Sequence, residues 1–120
     1  MQTIEIVKTA VAALNGKKAE KIEALKVDDL TIIADYFVIA SANNSTLVKA
    51  LAEEVEFQLE QKGLRPNHIE GRATQWILLD YGSVVVHIFY EAAREFYALE
   101  RLWQDAEKLD VSQLTMNSSS

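Results

Sequence analysis

At 120 residues, with 49% apolar and 25% charged side chains, the chain has room for one well-filled core and too little length for two ordinary domains. The absence of cysteine excludes disulfides and thiolate metal sites, and no apolar run reaches the roughly 18 residues that span a bilayer. A net charge of −6 opposes approach to a phosphate backbone, whose affinity comes from Lys and Arg displacing counterions, and favours a basic protein partner.

The start, Met1 to Glu5, has neither the basic character of a signal peptide nor the Arg content of a transit peptide, so a cytoplasmic location is expected. Ile4, Val7, Val11 and Leu14 recur at helical spacing and predict a helix over about residues 2–15, with Gly16 at the C′ position past its end. Ile22 to Val27 reads as a strand whose imperfect alternation suits a place nearer an edge than the centre. Asp28 and Asp29 end it, and Leu30 to Ala34 is read as a single helical turn. The nearly continuous apolar run from Asp35 to Ser41 predicts a central strand covered on both faces.

Leu47, Val48, Leu51, Val55 and Leu59 form an apolar stripe, preceded by capping side chains between Ser41 and Ser45 and followed by Gly63 and Pro66. A helix over 47–62, about 24 Å long, follows from that pattern, with Glu53, Glu54, Glu56 and Glu60 on its solvent face. Trp76 to Leu79 and Val84 to Tyr90 predict an antiparallel hairpin closed through Asp80, Tyr81, Gly82 and Ser83. Phe96, Leu99, Trp103 and Ala106 then recur as in a closing helix, and the Ser-rich stretch 111–120 is expected to be a disordered tail behind one domain spanning 1–110. Strands interleaved with helices give an α/β fold, a mixed β-sheet with flanking helices.

Catalytic patterns are thin. His68 and His87 have no metal-ligand spacing, the isolated glycines form neither a P-loop nor a dinucleotide fingerprint, and no serine sits in a nucleophile elbow. His87, on an apolar strand, is read as a hydrogen-bonded structural residue in preference to a general base. Strand parity places Trp76, Leu78 and Asp80 on one face and Ile77, Leu79 and Tyr81 on the other. Trp76 fits both a core and an interface anchor, and Asp80 both an Asx-turn acceptor and an exposed contact. Tyr97 lies beside the apolar stripe of the closing segment, where an interface role gains weight.

One ordered series of motifs covers nearly the whole chain: Asp35-Tyr36-Phe37-Val38-Ile39-Ala40, then Glu70-Gly71, then Trp76-x-Leu78-Leu79-Asp80-Tyr81-Gly82. Val86-His87-x-Phe89 and Arg94-x-Phe96-Tyr97-x-Leu99-Glu100-x-Leu102-Trp103 complete it. The series resembles the ribosomal silencing factor, or Iojap, family. That resemblance implies binding to the large ribosomal subunit through ribosomal protein fourteen, steric block of small-subunit joining, and repression of translation when nutrients are scarce. It also implies a fold similar to nucleotidyltransferases without their catalysis. Such enzymes carry two carboxylates one residue apart on a strand, whereas here Asp35 is followed by Phe37 at the second position.

The expected contact residues are Trp76, Leu78, Asp80 and Tyr81 of the hairpin with Arg94 and Tyr97 of the next segment. No cofactor, metal, membrane or specific nucleic acid is expected to take part, and the chain is not expected to be an enzyme. A nucleotidyltransferase-like protein that retains nucleotide or metal binding is the alternative, and a homodimer in the free state is a third reading of the exposed aromatic residues.

Overall fold

The computed structural model describes residues 1–71, 76–91, 104 and 106–118. Tyr36–Ala42 (β2) and Val84–Tyr90 (β5), the most continuously apolar stretches, lie side by side in the middle of the sheet as its parallel pair. Their near-complete burial follows from cover on both faces, which leaves no side of either strand for polar residues. Antiparallel neighbours extend the sheet in each direction. Glu20–Lys26 (β1) pairs with β2 and carries Glu107–Lys108 (β6) on its outer edge, while Trp76–Asp80 (β4) pairs with β5 and carries His68–Glu70 (β3). The order β3-β4-β5-β2-β1-β6 makes a six-stranded mixed sheet, so the α/β expectation of a mixed sheet with flanking helices is met. The short edge strands β3 and β6 carry no alternation long enough to read from sequence.

Three described helices, Thr3–Gly16 (α1), Ser45–Gln61 (α2) and Val111–Ser118 (α3), pack on one face of the sheet. Val7, Val11 and Leu14 of α1 and Leu51, Val55 and Leu59 of α2 meet Val38, Ala40, Ile77, Leu79, Val86 and Ile88 there. The opposite face holds a second cluster of Leu25, Val27, Ala34, Phe37, Ile39, Val85 and Phe89, against which Trp76, Leu78 and Ala106 pack.

Local chemistry fixes most element ends. Asn44 caps α2 by accepting from the Leu47 amide at 2.7 Å. At its other end Gly63 adopts φ +85, and the amides of Gly63 and Leu64 return to the carbonyls of Glu60 and Leu59, the double bond of a Schellman motif. The same motif ends α1, but with its left-handed residue two positions later than the sequence suggests. Helix α1 runs through Gly16, and Lys18 takes the left-handed position at φ 61, its amide bonding Asn15 and that of Ala19 bonding Leu14. Leu14 is fully buried, so packing sets where the helix closes and overrides the preference for glycine.

Further differences have similar causes. The imperfect alternation of β1 reflects a shift in register between Glu20 and Glu23, with Lys21 at φ 49. Residues 30–34 do not form a helical turn. The chain turns over 28–30, where the amides of Leu30 and Thr31 both bond the Val27 carbonyl, and then bends into β2. The stretch 111–120, expected to be disordered, instead forms α3 over Val111–Ser118. Asp110 accepts from the Ser112 amide at 3.0 Å, and Leu114 is buried in the helix-side core. One buried leucine and a capping aspartate outweigh a polar composition. The closing segment, with Arg94 and Tyr97, falls on residues 92–103 and 105, outside the described residues.

Candidate functional site

The β4–β5 hairpin is built as its residue types require. Tyr81 and Val84 close the loop through a Tyr81 amide to Val84 carbonyl bond of 2.9 Å, leaving Gly82 and Ser83 as the turn. Gly82 has φ +83, a conformation that any side chain with a Cβ would strain. The Asp80 carboxylate accepts from the Gly82 amide at 2.8 Å, so Asp80 makes the Asx turn that was one of its two readings. It stays half-buried, at the end of β4 opposite His68 and Val85.

Burial along β4 alternates as its parity requires: Trp76, Leu78 and Asp80 are partly exposed, while Ile77 and Leu79 are buried under the helices. The Trp76 indole stacks on Phe89, with ring centroids 5.1 Å apart, and its Nε1–H donates to Nδ1 of His87 at 3.1 Å. Phe37 meets the His87 ring edge-on at 4.8 Å. These rings form one aromatic group on the face away from α1, α2 and α3. Trp76 thus adds to the second core cluster while part of its surface remains open.

Burial lowers the His87 pKa to about 4, so the imidazole is neutral at physiological pH. Its structural reading agrees with this arrangement: it accepts from Trp76 inside an aromatic group. Tyr81 departs from the expectation of a contact residue. Its ring is only 6% exposed and belongs to the helix-side core, because parity turns it away from Trp76 and Leu78. Burial, and secondarily the Glu56 carboxylate, push its phenol well above the ordinary value. Its hydroxyl has no hydrogen-bond partner among the described residues.

The end of the sheet that carries the hairpin turn also carries the β1–β2 loop. The amides of Asp35 and Tyr36 bond the Ser83 carbonyl at 2.8 and 3.1 Å, so loop and turn form one surface. Leu30, Ile32 and Ile33 stand exposed in that loop. Their exposure departs from the single helical turn expected over Leu30 to Ala34. The available signal was an apolar run directly after Asp28-Asp29 with no amphipathic partner.

Among the described residues, no group of His, Asp or Glu gathers as a metal-ligand set, and no helix is long and apolar enough to cross a membrane.

The chain matches known proteins along its length. A family model described as "Ribosomal silencing factor during starvation" matches residues 1–120. The ribosomal silencing factor RsfS of Bacillus subtilis is 39% identical over 112 residues, which cover 92% of this chain and 95% of the relative. That of Halalkalibacterium halodurans is 37% identical, over 92% of this chain and 96% of the relative. A crystal structure of a Chromobacterium violaceum protein superposes with a TM-score of 0.84 at 35% identity, covering 87% of this chain and 88% of that one. With the model matched throughout and identity above 30% across nearly the whole length, the chain belongs to the RsfS family, the ribosomal silencing factors.

Proposed function

We propose that this chain represses translation without catalysis, by binding the large ribosomal subunit through ribosomal protein fourteen and occupying the face on which the small subunit docks. Nutrient limitation is the condition in which that repression acts, and the cytoplasm is where it takes place. The observation that carries the reading is the match to proteins named ribosomal silencing factor over more than nine-tenths of the chain. The net charge of −6 supports a basic ribosomal protein, in preference to RNA, as the point of attachment.

The contact surface in this reading is the open part of Trp76 with Leu78 and Asp80, extended by Arg94 and Tyr97. Tyr81 supports the turn from beneath. A standard interface buries about 800 Å² on each partner, within reach of a hairpin face and an adjoining segment. The nucleotidyltransferase-like kinship remains an expectation at the level of fold. It carries no chemistry, because the second carboxylate position is Phe37, buried against His87.

The test is co-sedimentation with isolated large subunits, followed by addition of small subunits. The expected result is a stable complex with the large subunit and a dose-dependent loss of joined ribosomes. Free passage of the chain past large subunits, or undiminished joining at saturation, overturns the reading. Light scattering on the free protein separately reports whether it is a homodimer.

A further inference from the structure

Ile32 is fully exposed at 103% and Ile33 at 68%, with Leu30 beside them at 42%. Scattered single apolar residues on a surface need no explanation, but three within four positions form a patch. The loop that holds them is pinned. Its two ends are joined by the Val27 amide on the Asp35 carbonyl at 2.8 Å, and Ala34 is buried in the second core cluster. The Ile33 amide bonds the Thr31 hydroxyl at 3.2 Å, and the Asp35 amide bonds Ser83 of the hairpin turn. The isoleucines are therefore held outward by a built loop, which reduces the ordering cost of binding.

The surroundings of the patch are acidic. Asp28, Asp29 and Asp35 are exposed on the same loop, and residues 28–35 contain no basic side chain. A shallow recess of about 270 Å³ beside Leu30 is lined by Asp28, Asp29 and Glu107, with Lys26 as its one cation among the described residues.

We propose that the β1–β2 loop is a docking knob for a cationic protein surface on the large ribosomal subunit. Ile32 and Ile33 enter an apolar depression of the partner, and Asp28, Asp29 and Asp35 meet its Lys and Arg side chains. Charge selects this occupant. A second copy of the chain would bring the same carboxylates and the same net −6, and an anionic lipid surface or a phosphate backbone would be repelled likewise. The loop is hydrogen-bonded to the turn that carries Asp80, so the knob adjoins the hairpin. This inference rests on the reading of the chain as a large-subunit binder.

The test compares the wild type, Ile32→Ser/Ile33→Ser and Asp28→Asn/Asp29→Asn by co-sedimentation with large subunits at two salt concentrations. The isoleucine variant is expected to bind at least tenfold more weakly with an unchanged melting temperature. The aspartate variant is expected to bind more weakly at low salt and to lose part of the salt dependence. If Ile33→Ser lowers the melting temperature, the single Ile32→Ser variant decides, since that side chain has no cover to lose. Wild-type binding matched by the isoleucine variants overturns the knob alone, and wild-type binding matched by the aspartate variant overturns its cationic partner. Failure of the wild type to sediment overturns the function reading, and the knob with it. A free dimer that Ile32→Ser/Ile33→Ser converts to monomer in light scattering identifies a second copy as the occupant and overturns the proposal.

Discussion

The Trp76 indole N–H donates to Nδ1 of His87 at 3.1 Å, joining residues of β4 and β5 that lie diagonally across an antiparallel pair. An acceptor at Nδ1 places the proton of the neutral ring on Nε2, which has no hydrogen-bond partner among the described residues. The bond therefore fixes the tautomer of His87 and the setting of the tryptophan ring together. Trp76 is thereby anchored on its inner side and open on its outer side, where the proposed contact surface lies.

Trp76→Phe keeps a ring over Phe89 and removes the donor to His87. The expected loss of stability is about 1–2 kcal/mol, the range for leaving a buried acceptor unmatched, with the urea m-value unchanged. Trp76→Ala also removes the stacking, and it is expected to weaken large-subunit binding about thirtyfold, equivalent to about 2 kcal/mol. Circular dichroism together with co-sedimentation separates the two effects. A folded Trp76→Ala protein that binds as well as the wild type removes this residue from the contact surface.

Acid destabilises the fold through His87. Its folded pKa is near 4, against 6.5 for a free side chain, because burial disfavours the charged ring. Between those values the unfolded chain takes up a proton that the folded chain refuses. Stability fully present above pH 6.5 is thus lost progressively as the pH falls to about 4, by about 3 kcal/mol in total. Urea denaturation at neutral pH and at about pH 4.5 measures the loss. His87→Gln, which keeps an acceptor for the indole but cannot titrate, is expected to remove this part of the pH dependence. An NMR titration that places the His87 pKa near the free value counts against this explanation.

The end of α1 gives a prediction of opposite sign. Gly16 is helical, its φ is not in the left-handed region, and a Cβ built there meets nothing within 4 Å. Gly16→Ala is therefore expected to stabilise the protein by about 0.5 kcal/mol through lower unfolded-chain entropy. Lys18→Gly is expected to stabilise it by about 1 kcal/mol, since glycine adopts the φ of 61 without strain. Gly82→Ala, at φ +83 with ordinary space around it, is expected to destabilise by about 1 kcal/mol. Chemical denaturation of the three variants in parallel orders them, and a destabilised Gly16→Ala would contradict the assigned helix end.

The last helix has a direct test. Leu114 is 7% exposed and packs in the core shared with α1, so Leu114→Ala is expected to cost about 2–3 kcal/mol. Removal of residues 111–120 is expected to lower the melting temperature by several degrees. Equal melting of the full and shortened chains would return this stretch to the disordered tail that its composition suggests.

Local rules determined what local interactions control. Apolar runs marked β2 and β5 as central, the stripe from Leu47 to Leu59 with Gly63 marked α2, and alternation separated Trp76, Leu78 and Asp80 from Ile77, Leu79 and Tyr81. The turn chemistry of Asp80 and Gly82 was equally open to reading. Tertiary structure decided which side of that alternation is buried, and so that Tyr81 lies beneath the helices while Trp76 bridges core and surface. It also gave Lys18 the left-handed position, drew Leu114 into the core and left Ile32 exposed. A residue's spacing fixes its neighbours on its own element. Its burial depends on what arrives from elsewhere in the chain, and free energy from those long-range contacts outweighs propensities of about 1 kcal/mol or less.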